Sequence, residues 1–222
     1  MSLILYGHPL SSYCHKVLIA LHELGADFTF RHIDPGRPED RELMAGLTPL
    51  GKMPALRDEA AGITLAETPV IIEWLDRHHP GPAPLLPRDP DAALAARLWD
   101  RIFDIHVMNV MQQIVDARLF MAEGALEVVT PFAQGQLDRA YAACDRRLAG
   151  RDWIADDFGM ADCAAVPALF YAGFLHPFDA HPNLSAYFER LLARPSVARV
   201  LDEARPWLHL FPFADRIPAR FL

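Results

Sequence analysis

The hydrophobic period of the chain changes twice before residue 34. Residues 3–6 form a short apolar run followed by Gly-His-Pro, which predicts a strand. Apolar residues then recur at helical spacing over residues 12–24, and Gly25 is a common type of helix stop. Residues 28–33 alternate and are rich in β-branched and aromatic side chains. The chain therefore begins with a predicted βαβ unit, whose two strands lie parallel.

Four further segments follow this unit before the chain changes character. Residues 39–45 predict a polar and weakly helical stretch. Residues 54–57 and 63–66 predict two short strands with an Ala-Gly turn between them. A helix is expected after Thr68, which is a good N-cap residue. The predicted order is βαβαββα, an α/β domain.

A proline-rich stretch separates this domain from the rest of the chain. Residues 78–91 hold five prolines and one glycine, a composition that resists both helix and strand. We therefore predict domains at 1–80 and 91–222, joined by a linker at 81–90. Everything after the linker is typical of an all-α bundle, with helical patterns at 92–121, 130–149, 159–175, 184–193 and 197–204.

Composition excludes several classes of protein. The chain has 222 residues, is 52% hydrophobic and carries a net charge of -8, so we expect neither nucleic acid nor an anionic membrane as a partner. The first residues lack the basic region of a signal peptide. Three widely spaced cysteines without a Cys-x-x-Cys predict a reducing, cytoplasmic setting and neither a disulfide framework nor a zinc site.

Two adjacent serines stand where the first predicted strand meets the first helix. A helix N-terminus presents unpaired backbone N–H groups and a partial positive charge, so an anion is favoured there. Ser11 and Ser12 could each point a hydroxyl hydrogen at a bound thiolate. The alternative is ordinary N-capping, for which serine is a preferred residue.

A second feature, Lys52-Met53-Pro54, precedes the third strand. A proline that opens a strand cannot donate to the ladder. If the Met53–Pro54 bond is cis, the backbone of Met53 can face outward and pair with an extended peptide. The alternative is a trans proline on a sheet edge.

A third feature, Glu67-Thr68-Pro69, opens the next helix. The layout could hold a zwitterionic amino-acid head, with its carboxylate on Thr68 and its ammonium near Glu67. The alternative is an ordinary cap followed by a proline at the first helical position, next to a solvated acid.

These features occur in order on one βαβαββα pattern, and the chain resembles the glutathione transferases over nearly all of its length. The resemblance is to the theta- and zeta-like classes that use a serine. The segments that carry it are Leu5-Tyr6 through Ser11-x-x-Cys14, residues 48–56, Glu67-Thr68, Asp152-Trp153, and residues 158–162, 181–184 and 194–197.

The resemblance implies a thioredoxin-like first domain that binds glutathione as a co-substrate and needs no metal. Ser11 would donate a hydrogen bond to the glutathione sulfur, with Ser12 as the rival for that role. Tyr6 occupies roughly the place of the catalytic hydroxyl in tyrosine-type classes, and we interpret it as a strand residue. Cys14 could be the nucleophile of cysteine-type classes, and we interpret it as a buried residue.

The resemblance also implies how the tripeptide is held. Met53 would pair its backbone with the cysteinyl unit, next to a cis Pro54. Glu67 and Thr68 would hold the γ-glutamyl head, and Lys52 would meet a carboxylate of the tripeptide.

The chain departs from the family pattern at three places. Thr68 replaces the usual serine and keeps the hydroxyl. Gly159 stands where a serine or threonine usually caps the core helix, so Asp162 loses its reciprocal partner and we expect a weaker helix start. No residue matches the ligand of the glycyl carboxylate, for which Arg37 and Arg41 are the candidates.

The second substrate would be a small apolar electrophile, held between the domains by the first helix of the second domain. A helical stripe of this kind is more often core than ligand site. Its candidate members are Phe103, His106, Val107, Val110 and Met111.

Several activities share this scaffold, and the residues do not separate them. They include glutathione transfer, glutathione-dependent isomerisation, dehalogenation, ether cleavage and peroxide reduction. A non-catalytic interaction module is the alternative from another class of protein. The resemblance further implies a homodimer.

Overall fold

Four strands form a sheet in the order β2-β1-β3-β4 in the computed structural model, which describes residues 2–222. Their bounds are Leu3–Gly7 (β1), Phe28–His32 (β2), Ala55–Asp58 (β3) and Ile63–Leu65 (β4). β1 lies parallel to β2 and antiparallel to β3, and β3 lies antiparallel to β4. The predicted parallel βαβ unit is therefore present.

Three helices complete this first unit: α1 at Ser12–Leu24, α2 at Pro38–Leu47 and α3 at Thr68–His78. α1 ends where Gly25 adopts a left-handed conformation with φ of 65°, which glycine allows without a steric penalty. The element order is βαβαββα, as the sequence predicts. This compact unit extends as far as Leu86.

The strand register places the ends of three elements at one edge of the sheet. Tyr6 near the end of β1 lies opposite Ala55 at the start of β3. Leu56 of β3 lies opposite Leu65 at the end of β4. The segments after β1, before β3 and after β4 therefore lie at the same edge.

The second unit, Pro87–Leu222, is helical within the described chain. Its core helix is α7 (Met160–Leu175), which is buried over almost its whole length, including Cys163 and the rings of Phe170 and Tyr171. The bounds are α4 Pro90–Arg101, α5 Asn109–Leu119, α6 Ala125–Leu148, α7 Met160–Leu175, α8 Pro182–Leu192 and α9 Pro195–Ala204, followed by short 3₁₀ segments at Arg205–Leu210, Ala214–Arg216 and Ala219–Phe221.

One feature of this unit differs from the sequence prediction. A single helix was expected over residues 92–121, and the structure has a π-helical segment, Ile102–Met108, between α4 and α5. Arg101 lies at its start and donates to the carboxylates of Asp100 and Asp104. A π-helical turn inserts a residue into the helical period without breaking the helix, so the sequence pattern gives no sign of it.

The side chain of Asp162 contacts the start of α7. The sequence analysis expects it to lack its reciprocal capping partner, because Gly159 replaces a serine or threonine. Gly159 has no side chain with which to cap the helix. The Asp162 carboxylate instead accepts hydrogen bonds from the Gly159 amide at 2.9 Å and from the Ile154 amide at 3.3 Å. The Tyr187 hydroxyl donates to the same carboxylate at 2.6 Å. The half of the capping box that Asp162 supplies is therefore present, and Tyr187 also holds its carboxylate.

Among residues 2–222, no helix has the length and apolar character that crossing a membrane requires.

Candidate functional site

The connection from β1 to α1 carries the two candidate serines. Ser11 is the N-cap of α1, and its Oγ accepts from the Cys14 amide at 3.4 Å. Its own amide donates to the His8 carbonyl at 2.9 Å. Ser12 is the first helical residue, and both serines are half-buried. Both therefore lie at the positive end of a thirteen-residue helix, where a bound anion is favoured.

Cys14 lies beneath these serines and is fully buried. Burial raises the pKa of its thiol to about 11, and hydrogen bonds from Ser11 and from the His8 backbone oppose the rise only in part. The thiol therefore stays protonated at neutral pH and lacks the thiolate that a cysteine nucleophile needs. A Cβ at Gly7 would lie 2.5 Å from the Cys14 sulfur, so the strand end requires glycine here.

The segment before β3 presents a free length of backbone. The Met53–Pro54 peptide bond is cis. Among the described residues, Met53 has no hydrogen bond from its backbone N–H or to its carbonyl, and it is half-buried. The preceding turn is fixed by the Thr48 hydroxyl, which donates to the Lys52 carbonyl at 3.3 Å. Lys52 itself is exposed.

The segment after β4 has an unusual backbone. Glu67 has φ of 65° and ψ of 115°, a region that residues other than glycine seldom adopt. Its carbonyl accepts from the Ile71 amide at 3.0 Å, so Glu67 is the N-cap of α3. The predicted cap, Thr68, is instead the first helical residue, because the chain turns one residue earlier. Thr68 is 4% exposed, whereas Glu67 is exposed.

The topology thus gathers the three segments at one sheet edge. Ser11 follows β1, Met53 precedes β3 and Glu67 follows β4. The edge combines the N-terminus of α1, an unpaired stretch of backbone, the cation of Lys52 and the anion of Glu67. Such an arrangement suits an extended peptide that carries charges of both signs.

The two arginine candidates are engaged close to the start of α2. Arg37 lies 3.5 Å from the Asp34 carboxylate. Arg41 donates to the Pro35 carbonyl at 2.8 Å. Both side chains therefore order the connection between β2 and α2.

The five candidates for a second-substrate pocket divide into two groups. His106 is exposed. The other four, Phe103, Val107, Val110 and Met111, are 0–2% exposed. Their assignment to a second-substrate pocket stays a prediction.

Sequence reasoning missed a group of histidines around the loop of residues 8–11, which connects β1 to α1. His8 accepts a hydrogen bond at Nδ1 from the Leu10 amide at 3.0 Å. His15 is bonded through Nε2 to the Pro9 carbonyl. The rings of His8 and His32 lie 4.9 Å apart between centroids. The only sequence signal was a histidine directly after β1 and another at the end of β2.

In the described part of the chain, no cluster of three or more histidine, cysteine or carboxylate side chains is arranged to hold a metal.

Comparison with known proteins finds matches for both units of the chain. The model of the glutathione S-transferase N-terminal domain matches residues 5–83, and that of the glutathione S-transferase C-terminal domain matches residues 98–195. A crystal structure of a glutathione S-transferase from Methylobacterium radiotolerans, in complex with glutathione sulfonate, is 32% identical with a TM-score of 0.75. The similarity covers 89% of this chain and 93% of that one.

Two curated relatives show how varied such proteins are. The stringent starvation protein A homolog of Coxiella burnetii is 29% identical over 90% of this chain and 91% of its own. The maleylacetoacetate isomerase of Rattus norvegicus is 28% identical over 86% of this chain and 88% of its own. The two family models together span both units of the fold, and the chain belongs to the glutathione S-transferase family.

Proposed function

We propose that this protein is a glutathione transferase that binds the glutathione thiol at the N-terminus of α1 and activates it as a thiolate. The observation that carries the proposal is the meeting of three segments at one sheet edge, those of Ser11, Met53 and Glu67. A chain of this family without a ligand would have no need to keep all three.

The binding roles follow from the chemistry of each segment. The backbone of Met53 pairs with the cysteinyl unit as an added strand. Glu67 receives the ammonium of the γ-glutamyl head, and Thr68 at the start of α3 receives its carboxylate. Lys52 meets a carboxylate of the tripeptide. Pro54 is buried and joins Met53 to β3, which begins at Ala55.

Thiol activation needs only modest help. A free thiol has a pKa of about 8.5, so lowering it by about two units requires about 2.7 kcal/mol of preference for the thiolate. A hydrogen bond to a charged acceptor contributes about 1.5–3 kcal/mol, and a helix N-terminus about 0.3–1 kcal/mol. One serine hydroxyl and the N-terminus of α1 therefore suffice, without a general base. We assign the hydroxyl to Ser11, the residue at the N-cap, with Ser12 as its rival.

The thiolate then attacks an apolar electrophile. The thiol proton goes to solvent, a carbon–sulfur bond forms, and the leaving group departs with the electron pair. On the helical unit we propose that the exposed His106 contacts this second substrate, because it projects from a π-helical segment, a feature frequent at functional sites.

Steady-state kinetics of conjugation to a model electrophile test the proposal. Ser11→Ala should lower kcat about 10- to 100-fold and leave the glutathione KM within about twofold, because the hydrogen bond to the thiolate is lost while the contacts that hold the rest of the tripeptide remain. Ser12→Ala is the matched control and should change neither. His106→Ala should raise the KM of the electrophile alone. No conjugation by the wild type with any of several electrophiles, and no binding heat with glutathione, would overturn the proposal.

Glutathione-dependent isomerisation is the second candidate, favoured by the similarity to a maleylacetoacetate isomerase. The thiolate would add to a conjugated double bond, allow rotation and leave again, so glutathione would not be consumed. Maleylacetoacetate turnover at constant glutathione concentration would support this candidate, and conjugate accumulation alone would exclude it.

We also propose a cytoplasmic homodimer. Leu94 and Leu98 lie one turn apart on α4 and are 63% and 57% exposed, an apolar face that a second copy would cover. The three cysteines are buried thiols that form no disulfide within the described residues, which suits a reducing compartment. Size-exclusion chromatography of the wild type and Leu98→Glu should give a dimer and a monomer, respectively. A wild-type monomer at every concentration would exclude the dimer.

A further inference from the structure

The loop between β1 and α1 is held by side chains that do not belong to the proposed glutathione contacts. Residues 8–11 connect the strand to the helix, and two imidazoles bond to the backbone inside this loop. His8 receives the Leu10 amide at 3.0 Å, and His15 is bonded to the Pro9 carbonyl. The two backbone groups, the Leu10 amide and the Pro9 carbonyl, lie one and two residues before Ser11. The two rings therefore contact the backbone directly before Ser11.

We propose that His8 is a positioning residue for Ser11, and that it holds the loop in its active conformation only while its imidazole is neutral. The inference rests on the proposed function, because it acts through the hydrogen bond from Ser11 to the thiolate.

The hydrogen bond fixes the state of the ring. An amide N–H donates to Nδ1 only when that nitrogen keeps its lone pair, so the proton of the neutral ring is on Nε2. Protonation of His8 would place a second hydrogen on Nδ1, pointing at the Leu10 N–H. The bond would be lost and two donors would face each other. The backbone at Leu10 would then have to move. Because Ser11 directly follows Leu10, its hydroxyl would be displaced as well.

The surroundings of the ring favour the neutral form. Burial lowers the pKa of His8, and the neighbouring His32 lowers it further, whereas Asp34 raises it. These are the groups that face it from β2 and from the connection to α2. From α1, Cys14 contacts the loop with a thiol that stays protonated, since burial raises its pKa to about 11. His8 therefore gains its proton at a lower pH than an unperturbed histidine does, and it is neutral at physiological pH.

The consequence is that two protonations, of the glutathione thiol and of His8, lower kcat/KM on the acid limb of its pH profile. In a simple transferase, kcat/KM falls about tenfold per pH unit below the pKa of the thiol. Here a proton on His8 also misplaces Ser11, which weakens the hydrogen bond that keeps the thiol ionised. The acid limb should therefore be steeper than about tenfold per pH unit across the range in which His8 titrates, and the extra loss should level off at about the 10- to 100-fold expected for removal of the Ser11 hydroxyl.

Two substitutions at one position separate the effect of charge from that of structure. In His8→Asn the side-chain oxygen takes the place of Nδ1 as an acceptor but does not titrate. We expect activity at pH 7.5 within about threefold of the wild type and an acid limb of about tenfold per pH unit. In His8→Ala no acceptor remains, and kcat should fall at every pH. His22→Asn, at the far end of α1, is the control and should keep the wild-type profile.

A second measurement does not require glutathione. In the wild type, the NMR signal of the Leu10 amide should shift with pH at the pKa measured for the His8 ring. In His8→Asn that shift should vanish. A Leu10 amide that ignores His8, or an acid limb unchanged in His8→Asn, would overturn the inference. Loss of the proposed function would show itself differently, as a wild-type protein that binds no glutathione.

Discussion

The hydroxyl of Tyr187 should stabilise the fold more than a similar buried hydroxyl, because its acceptor is a carboxylate. Tyr187 is 0% exposed and donates to Asp162 at 2.6 Å. Burial raises the pKa of Asp162 to about 6, and the hydrogen bonds from Tyr187 and the backbone oppose that rise. The carboxyl is therefore ionised at pH 8 and mostly protonated at pH 5.

The chain provides a matched control for this group. Tyr141 is also 0% exposed, and its hydroxyl donates to a neutral acceptor, the His176 carbonyl, at 3.1 Å. A hydrogen bond to a charged group contributes about 1.5–3 kcal/mol, and one between neutral groups about 0.5–1.5 kcal/mol. At pH 8 we expect Tyr187→Phe to lower the free energy of unfolding by about 2 kcal/mol and Tyr141→Phe by about 1 kcal/mol.

The two variants should also differ in their dependence on pH. The folded pKa of Asp162 lies above the unfolded value of about 3.9, so the folded state binds more protons between about pH 4 and pH 6. The contribution of Asp162 to stability is thus fully present below that window and declines as pH rises through it. Removing the Tyr187 hydroxyl raises the folded pKa further, because that hydroxyl favours the ionised form.

It follows that the loss in Tyr187→Phe should shrink at pH 5 to about the 1 kcal/mol of a neutral bond, whereas the loss in Tyr141→Phe should not change. Urea denaturation followed by circular dichroism at pH 8 and pH 5 measures all four differences. Equal losses for the two variants at pH 8, or a Tyr187→Phe loss that stays constant with pH, would refute this reasoning.

Three further predictions concern the first unit. Glu67→Gln should weaken glutathione binding by about 10-fold or more, measured by calorimetry, because it removes a charge-assisted contact to the ammonium; unchanged affinity would exclude Glu67 from the site. Gly7→Ala should lower the free energy of unfolding by about 1–3 kcal/mol, since its Cβ would lie 2.5 Å from the Cys14 sulfur. The double variant Gly7→Ala with Cys14→Ala should recover part of this loss, and strict additivity would argue against the clash. Cys14→Ser should keep the conjugating activity at pH 7.5 within about threefold, because the thiol is protonated there; abolished activity in a folded protein would restore Cys14 as the nucleophile.

The sequence predicts the order of the elements well because the signals are local. The apolar run of β1 ends at a Gly-His-Pro sequence, and Gly25 stops α1. The prolines of residues 78–91 interrupt every periodic pattern. Each signal acts through steric and hydrogen-bonding rules that involve only a few neighbouring residues. The apolar stretch of residues 163–175 likewise predicts a buried helix, and α7 is one.

Other features depend on contacts between distant segments, and the sequence does not predict them. The contact of His8 with His32 arises from the parallel pairing of β1 and β2, which sets Gly7 opposite His32. The donors to Asp162 include Tyr187, which lies on another helix. An apolar stripe such as Phe103 and Val107 has the same pattern whether it lines a pocket or packs in a core. Only the fold shows that both of these side chains are 0% exposed.

The central claim is that Ser11 and the N-terminus of α1 keep glutathione ionised. An ultraviolet difference titration of bound glutathione across pH measures the pKa of its thiol directly. For the wild type we expect a thiolate band with a midpoint about two units below the free thiol, and for Ser11→Ala a midpoint at least one unit higher than that. A wild-type midpoint equal to that of free glutathione, or an Ser11→Ala midpoint equal to the wild type, would contradict the account.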